Sequence, residues 1–265
     1  MQELKDTQNE LDTRQISIDR VGVRDIRFPI VVSDKEHRTQ STVATVALMV
    51  DLPEKYKGTH MSRFVEALHE HKRYLDVHTA LRLPNKLLDK LSAQRARVEI
   101  AFPFFRLKKA PVTGNEGMMD YDVRFEIDAE RGKPGQFTLT IKVPVTTLCP
   151  CSKAMSEHSA HNQRGIVTYS VRFSGKAVWI EDLIDMIENC ASCQVYSLLK
   201  RPDEKFVTDH AYDHPVFVED LVRNVAVATE HYNAFSWYRV EAENFESIHN
   251  HNAYAMVERS LEVEG

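Results

Sequence analysis

The order of local patterns constrains this chain most: strands, then helices, then strands, and the same order again. Ser41 to Leu52 is a β-branched and apolar run that stops at Pro53. Helical spacing follows from Met61 to Leu68, with Thr59 as its expected N-cap. A second helix is expected over Thr79 to Ser92, interrupted or begun at Pro84. Arg97 to Leu107 then alternates, as do Tyr121 to Ala129 and Gln136 to Val145, and Arg131-Gly132-Lys133-Pro134-Gly135 makes the turn between the last two.

The pattern then restarts. Gly165 to Phe173 reads as a strand, Trp179 to Cys190 as a helix, and Val216 to Glu230 as a longer helix striped by Val218, Leu221, Val222 and Val225. Phe235 to Ala242 and Ala253 to Glu258 close the chain as strands. Strands flanking helices, twice, predict an α+β fold of two similar halves with antiparallel sheets rather than a βαβ alternation. The repeat is one of pattern, not of identity. Residues 1–20 read as a mobile or helical arm, with the fold starting near Val21. The expected division is an arm 1–20, a first module 21–160 ending in a Cys-Pro-Cys loop, and a second module 161–265.

Charge and apolar runs exclude several classes. A net charge of -5 over 265 residues gives no general attraction to nucleic acid or anionic membrane, so any phosphate binding must be local. No apolar run reaches bilayer length and the polar N-terminus lacks a secretion-signal core, so a cytoplasmic location is expected. Four cysteines in such a chain are no disulfide framework. Cys190 and Cys193 have zinc-like spacing, but Cys190 continues the face of Ile180, Leu183, Ile184 and Ile187 and reads as a small core residue. No glycine-rich phosphate loop is present.

The chemistry concentrates elsewhere. Cys149-Pro150-Cys151-Ser152-Lys153, His158 and His161 follow the run Val143 to Thr147, and a thiolate and an imidazole from a strand end and its loop can meet on one divalent metal. Isolated cysteines and histidines are ordinary core or loop residues; the clustering favours a site. Glu204 lies beyond Pro202, expected to end a helix, on a loop able to carry it into a cleft, though from composition its charged neighbours favour a solvated surface charge. Glu219 falls in a first helical turn with Arg223 four residues on, which suffices for a structural role. In Glu246-Ser247-Ile248-His249-Asn250-His251, extended alternation puts His249 and His251 on one side, as acid and base groups of one pocket or as part of a polar loop.

Together, Thr147 to Lys153, Ala160 to Arg164, Leu199 to Lys205, Phe217 to Arg223, Glu246 to His251 and Lys57 to Phe64 closely resemble the prokaryotic GTP cyclohydrolase type IB family. The resemblance runs from about residue 20 to the C-terminus. It implies a tunnelling fold (T-fold), a homotetramer with active sites at subunit interfaces, and conversion of GTP and water to 7,8-dihydroneopterin triphosphate and formate, the first step toward tetrahydrofolate. It also implies one divalent metal per active site, manganese, zinc or iron, on Cys149, His161 and Glu204, with Glu219 holding guanine. Cys151, Glu246, His249 and His251 match the remaining active-site positions, and Lys153, Arg164, Arg63 and His60 flank the motifs as candidates for the triphosphate. The competing readings are a tunnelling-fold nitrile reductase, whose nucleophile and cofactor signature has no counterpart here, and a non-catalytic metal or thiol protein.

Overall fold

The computed structural model describes residues 8, 10–71, 73–175 and 178–261. They form two compact units. The first holds residues 1–33, 37–102 and 124–138, and the second residues 34–36, 103–123 and 139–265.

In the first unit, β1 (Ile18–Asp34) and β2 (Arg38–Leu52) precede α1 (Met61–His69), β3 (Tyr74–Leu75), α2 (Val77–Ala80) and α3 (Arg82–Leu91). β4 (Arg95–Lys109), β5 (Glu116–Glu130) and β6 (Gln136–Leu148) are divided between the units. The first unit's strands run β3-β1-β2-β4-β5. Inward residues pair across β2 and β4, Val46 with Ile100 and Leu48 with Val98, all buried. Phe64, Ala67 and Leu68 of α1 and Leu83, Leu87 and Leu88 of α3 complete this core. One expectation fails in detail: β1 and β3 pair in parallel, Val31 with Tyr74, through a two-residue strand.

The expected arm is only partly outside the fold. Its residues 1–7 and 9 lie outside the described residues, but Asp12 donates to the Lys55 carbonyl at 3.2 Å and Leu11 bridges Tyr56. Backbone pairing of this kind needs no apolar pattern, so none announced it. β1 starts at Ile18, ahead of Val21. His60, not Thr59, occupies the N-cap of α1 and makes no side-chain cap bond. The break near Pro84 falls at Leu81; Pro84 itself sits in the first turn of α3, where its missing N–H has no helical partner to lose.

The second unit adds α4 (Pro150–Met155), β7 (Asn162–Phe173), α5 (Ile180–Glu188), β8 (Cys193–Gln194), α6 (Arg201–Asp213), α7 (Val218–Glu230), β9 (Phe235–Asn244) and β10 (Ala253–Ser260). Its strands run β10-β9-β7-β6, with β8 also on β6. Register stacks the inward side chains of β6, β7 and β9 in rows: Ile141, Tyr169 and Val240, then Val143, Val167 and Ala242, then Val145, Gly165 and Asn244. Leu183, Ile184 and Ile187 of α5 and Leu221 and Val225 of α7 are fully buried, each worth about 1.5–3 kcal/mol against exposure. Glu188 ends α5 in a buried knot with Lys108 Nζ (2.7 Å) and Tyr121 Oη (2.9 Å); burial pushes its carboxyl up and the Lys108 ammonium down.

Pro202 begins a helix rather than ending one. It lies in the first turn of α6, with Lys200 as N-cap and Asp203 closing a capping box, so Glu204 stands on a helix and not on a loop. Cys190 is half-buried with its thiol on the Met186 carbonyl at 3.2 Å, and burial pushes it up to about 11. That is the environment of a core thiol.

Candidate active site

The inward rows of β6, β7 and β9 are apolar until their last members, Thr147, Gln163 and Asn244, all buried. Beyond this polar end lies a cavity of about 260 Å³ within the second unit. Cys149, His161, Gln163, Glu219, Asn244, Glu246, His249 and His251 line it, with Val216, Phe217, Val218 and Ala253 as apolar wall.

Cys149 is held by the motif around it. It is the N-cap of α4, Pro150 takes the first helical position, and the Cys149 sulfur accepts the Ser152 N–H at 3.4 Å. The segment expected as a loop is therefore a short helix. Cys149 N–H also donates to the His161 carbonyl at 3.1 Å, and Ser152 Oγ accepts the His161 N–H at 3.3 Å, which clamps cysteine and histidine together.

The His161 ring is oriented by its other neighbours. Nδ1 lies 3.0 Å from Gln163 Oε1, 3.5 Å from Ser247 Oγ and 3.9 Å from Glu246 Oε2. Gln163 is itself fixed, its Nε2 donating to Thr147 Oγ1 at 3.0 Å. Since a carbonyl oxygen only accepts, Nδ1 is the donor to Gln163, and Nε2 is the ring nitrogen turned away from it.

Glu219 enters from the first turn of α7. Arg223, four residues on, pairs instead with Asp220 at 3.3 Å, so the Glu219 carboxylate makes no hydrogen bond or ion pair with the described residues. The His249 and His251 rings stack at 5.1 Å, 13° apart, on the loop from β9 to β10.

Six residues singled out from the sequence thus share one cavity: Cys149, His161, Glu219, Glu246, His249 and His251. The others do not line it. Glu204 and Cys151 are exposed on α6 and α4, Arg164 is exposed on β7, and His158 is exposed in the turn after α4. Lys153 Nζ reaches the Tyr212 carbonyl and lies 4.3 Å from that ring's centre. His60 and Arg63 open α1 in the first unit, where Arg63 Nη1 lies 3.4 Å from the Lys90 carbonyl. Gln163 and Asn244 were not singled out; the available signal was a polar residue on the inward parity of an otherwise apolar strand.

As metal donors, a thiol and an imidazole with an oriented ring suit a borderline divalent cation. Cys149 and His161 fit that role. Glu204 does not complete it in place, and among the described residues no group of three or more His, Cys, Asp or Glu is gathered to hold a metal ion. No helix among the described residues is long and apolar enough to cross a membrane.

A protein-family model described as "Type I GTP cyclohydrolase folE2" matches residues 4–255. Among curated relatives, the GTP cyclohydrolase FolE2 of Akkermansia muciniphila is 71% identical over 98% of this chain and 99% of its own. Those of Magnetococcus marinus and Fervidobacterium nodosum are 51% and 52% identical, over 96% and 95% of this chain and 96% of each of theirs. Among solved structures, a hyperthermostable mutant of Bacillus sp. TB-90 urate oxidase shares the fold at a TM-score of 0.55 and 9% identity, over 92% of this chain and 98% of that one.

Proposed function

The chain belongs to the type I GTP cyclohydrolase folE2 family and is a GTP cyclohydrolase, and from that premise we propose that it converts GTP and water to 7,8-dihydroneopterin triphosphate and formate in the cavity of its second unit. One observation carries the placement: Glu219, unpartnered, shares the cavity with Cys149, His161, His249 and His251. A carboxylate can take the guanine N1–H and a 2-amino N–H in parallel, a pairing adenine cannot offer in that geometry. Charged acceptors of this kind discriminate strongly because an unmet one costs about 1–3 kcal/mol or more.

A divalent ion, manganese, zinc or iron, belongs to this reading, held by Cys149 and His161 with Glu204 as third donor. The chemistry such an ion supplies is Lewis-acid activation of the attacking water. His161 keeps one tautomer through Gln163, and His249 and His251 stand ready to exchange protons as the imidazole ring of the purine opens. Cys151 remains a candidate for the same proton traffic. Because none of Lys153, Arg164, Arg63 and His60 lines the cavity, the triphosphate is the part of GTP that a second copy of the chain would complete. A tunnelling fold and a homotetramer with interface active sites are part of this proposal, supported by the likeness to urate oxidase and by the exposed apolar side chains Met155 and Ile248 near the cavity residues.

The test is turnover of GTP with manganese, followed through the fluorescence of the oxidised pterin, alongside bound metal. Cys149→Ala and Glu204→Ala are expected to lose metal and activity together. Glu219→Ala should keep metal and lose GTP affinity by about 100-fold or more. Full metal retention by Glu204→Ala would remove it from the donor set.

A further inference from the structure

Resting on the guanine reading above, we propose that Asn244 is a second base-recognising residue, whose side-chain carbonyl accepts the 2-amino N–H that Glu219 leaves unmet, so that the pocket selects GTP over inosine triphosphate. Asn244 ends β9, is 2% exposed and lines the cavity. Its Oδ1 is buried with no hydrogen-bond partner among the described residues. Such an oxygen is rare in a folded protein, and because Asn244 lines the cavity, a donor bound there is a group that would satisfy it once the amide turns toward it.

Guanine carries three N–H bonds, one on N1 and two on the 2-amino group. A carboxylate that takes N1–H and one amino hydrogen leaves the other amino hydrogen to find an acceptor. The remaining side-chain carbonyl in the cavity is committed, since Gln163 Oε1 lies 3.0 Å from His161 Nδ1. Glu246 Oε2 faces the same nitrogen at 3.9 Å. Asn244 Oδ1 is the uncharged side-chain acceptor of the lining that has no hydrogen bond among the described residues.

The strand opposite is shaped for it. Gly165 pairs directly with Asn244 in the β7–β9 register, and a Cβ built there would lie 2.5 Å from Asn244 Oδ1. Any side chain at 165 would displace the amide. The missing methyl group is thus the room the Asn244 side chain occupies.

The experiment uses the purified metal-loaded enzyme and measures the KM of GTP and the inhibition constant of inosine triphosphate, which lacks the 2-amino group. For both Asn244→Ala and Gly165→Ala, the KM of GTP is expected to rise about tenfold, equivalent to about 1.4 kcal/mol. The inosine triphosphate constant should stay unchanged, so that selectivity collapses. Thermal melts report folding, and Gly165→Ala keeps the amide while moving it. Equal losses for both nucleotides, or no loss for GTP, overturn the proposal. Glu219→Ala is run alongside: if it loses GTP while Asn244→Ala does not, this inference alone fails, whereas unchanged GTP affinity in Glu219→Ala sinks the guanine reading with it.

Discussion

His161 owes its role to the residues that hold its ring. The chain Thr147 to Gln163 to His161 fixes the Nδ1 side of the ring and leaves Nε2 turned away from it, and no step in that chain depends on a charge that solvent could screen. Gln163→Leu keeps the volume and removes the orienting carbonyl. Metal affinity is then expected to fall about 10–100-fold, measured by competition with a chelator, with little change in thermal midpoint. An unchanged affinity would show that the ring needs no such orientation. Glu219 illustrates the opposite condition, a carboxylate made available by having no partner among the described residues. Its spacing from Arg223 allowed a helical ion pair, but Asp220 takes that guanidinium, and only the coordinates distinguish the two. Cys149 and His161 were legible from clustering, because soft donors seldom crowd a short segment by accident. Asn244 was not, since one asparagine in a strand carries no chemistry until its burial is known.

α6 is placed by one buried carboxylate. Asp203 accepts the Val112 and Thr113 N–H groups at 2.9 and 2.8 Å, the Thr113 hydroxyl at 2.7 Å and the Lys200 N–H at 2.9 Å, and so pins the first turn that carries Glu204. Burial pushes its carboxyl up, but the hydrogen bonds from Thr113, Lys200 and Val112 outweigh that and hold it well below the ordinary carboxylate value of 3.8. With the folded-state value depressed, this stabilisation is fully present above the unfolded value and is lost as pH falls below it. Asp203→Asn should therefore lower the thermal midpoint at neutral pH. The wild-type advantage should shrink as melts are repeated below about pH 4. A constant difference across that range would contradict the linkage. The element itself was hidden in the sequence because Pro202 reads as a stop, whereas in a first turn its missing N–H costs nothing. α4 was hidden likewise, because the Cys-Pro-Cys segment was expected to be a loop.

At the scale of the molecule, Met155 is 80% and Ile248 64% exposed, each in a segment that supplies cavity residues. Apolar side chains so placed suit contact with another copy of the chain. Ile248→Asp is expected to shift the assembly toward smaller species by size-exclusion chromatography and to lower turnover with it, while a wild type eluting as a monomer would contradict the tetramer. The sequence by itself determined the alternation of strands and helices, the apolar stripes that became both cores, and, through its motifs, the family and its reaction. Those are local properties, carried by periodicity and by short runs of reactive residues. Only the tertiary structure decided that Thr147 pairs with Gln163 and that Asn244 lies in the adjacent row beside Gly165, which makes room for its amide, and that Glu219 has no partner among the described residues. The reason is register: which residues meet across β6, β7 and β9 depends on pairing between segments as far apart as Gly165 and Asn244, and no local window contains it.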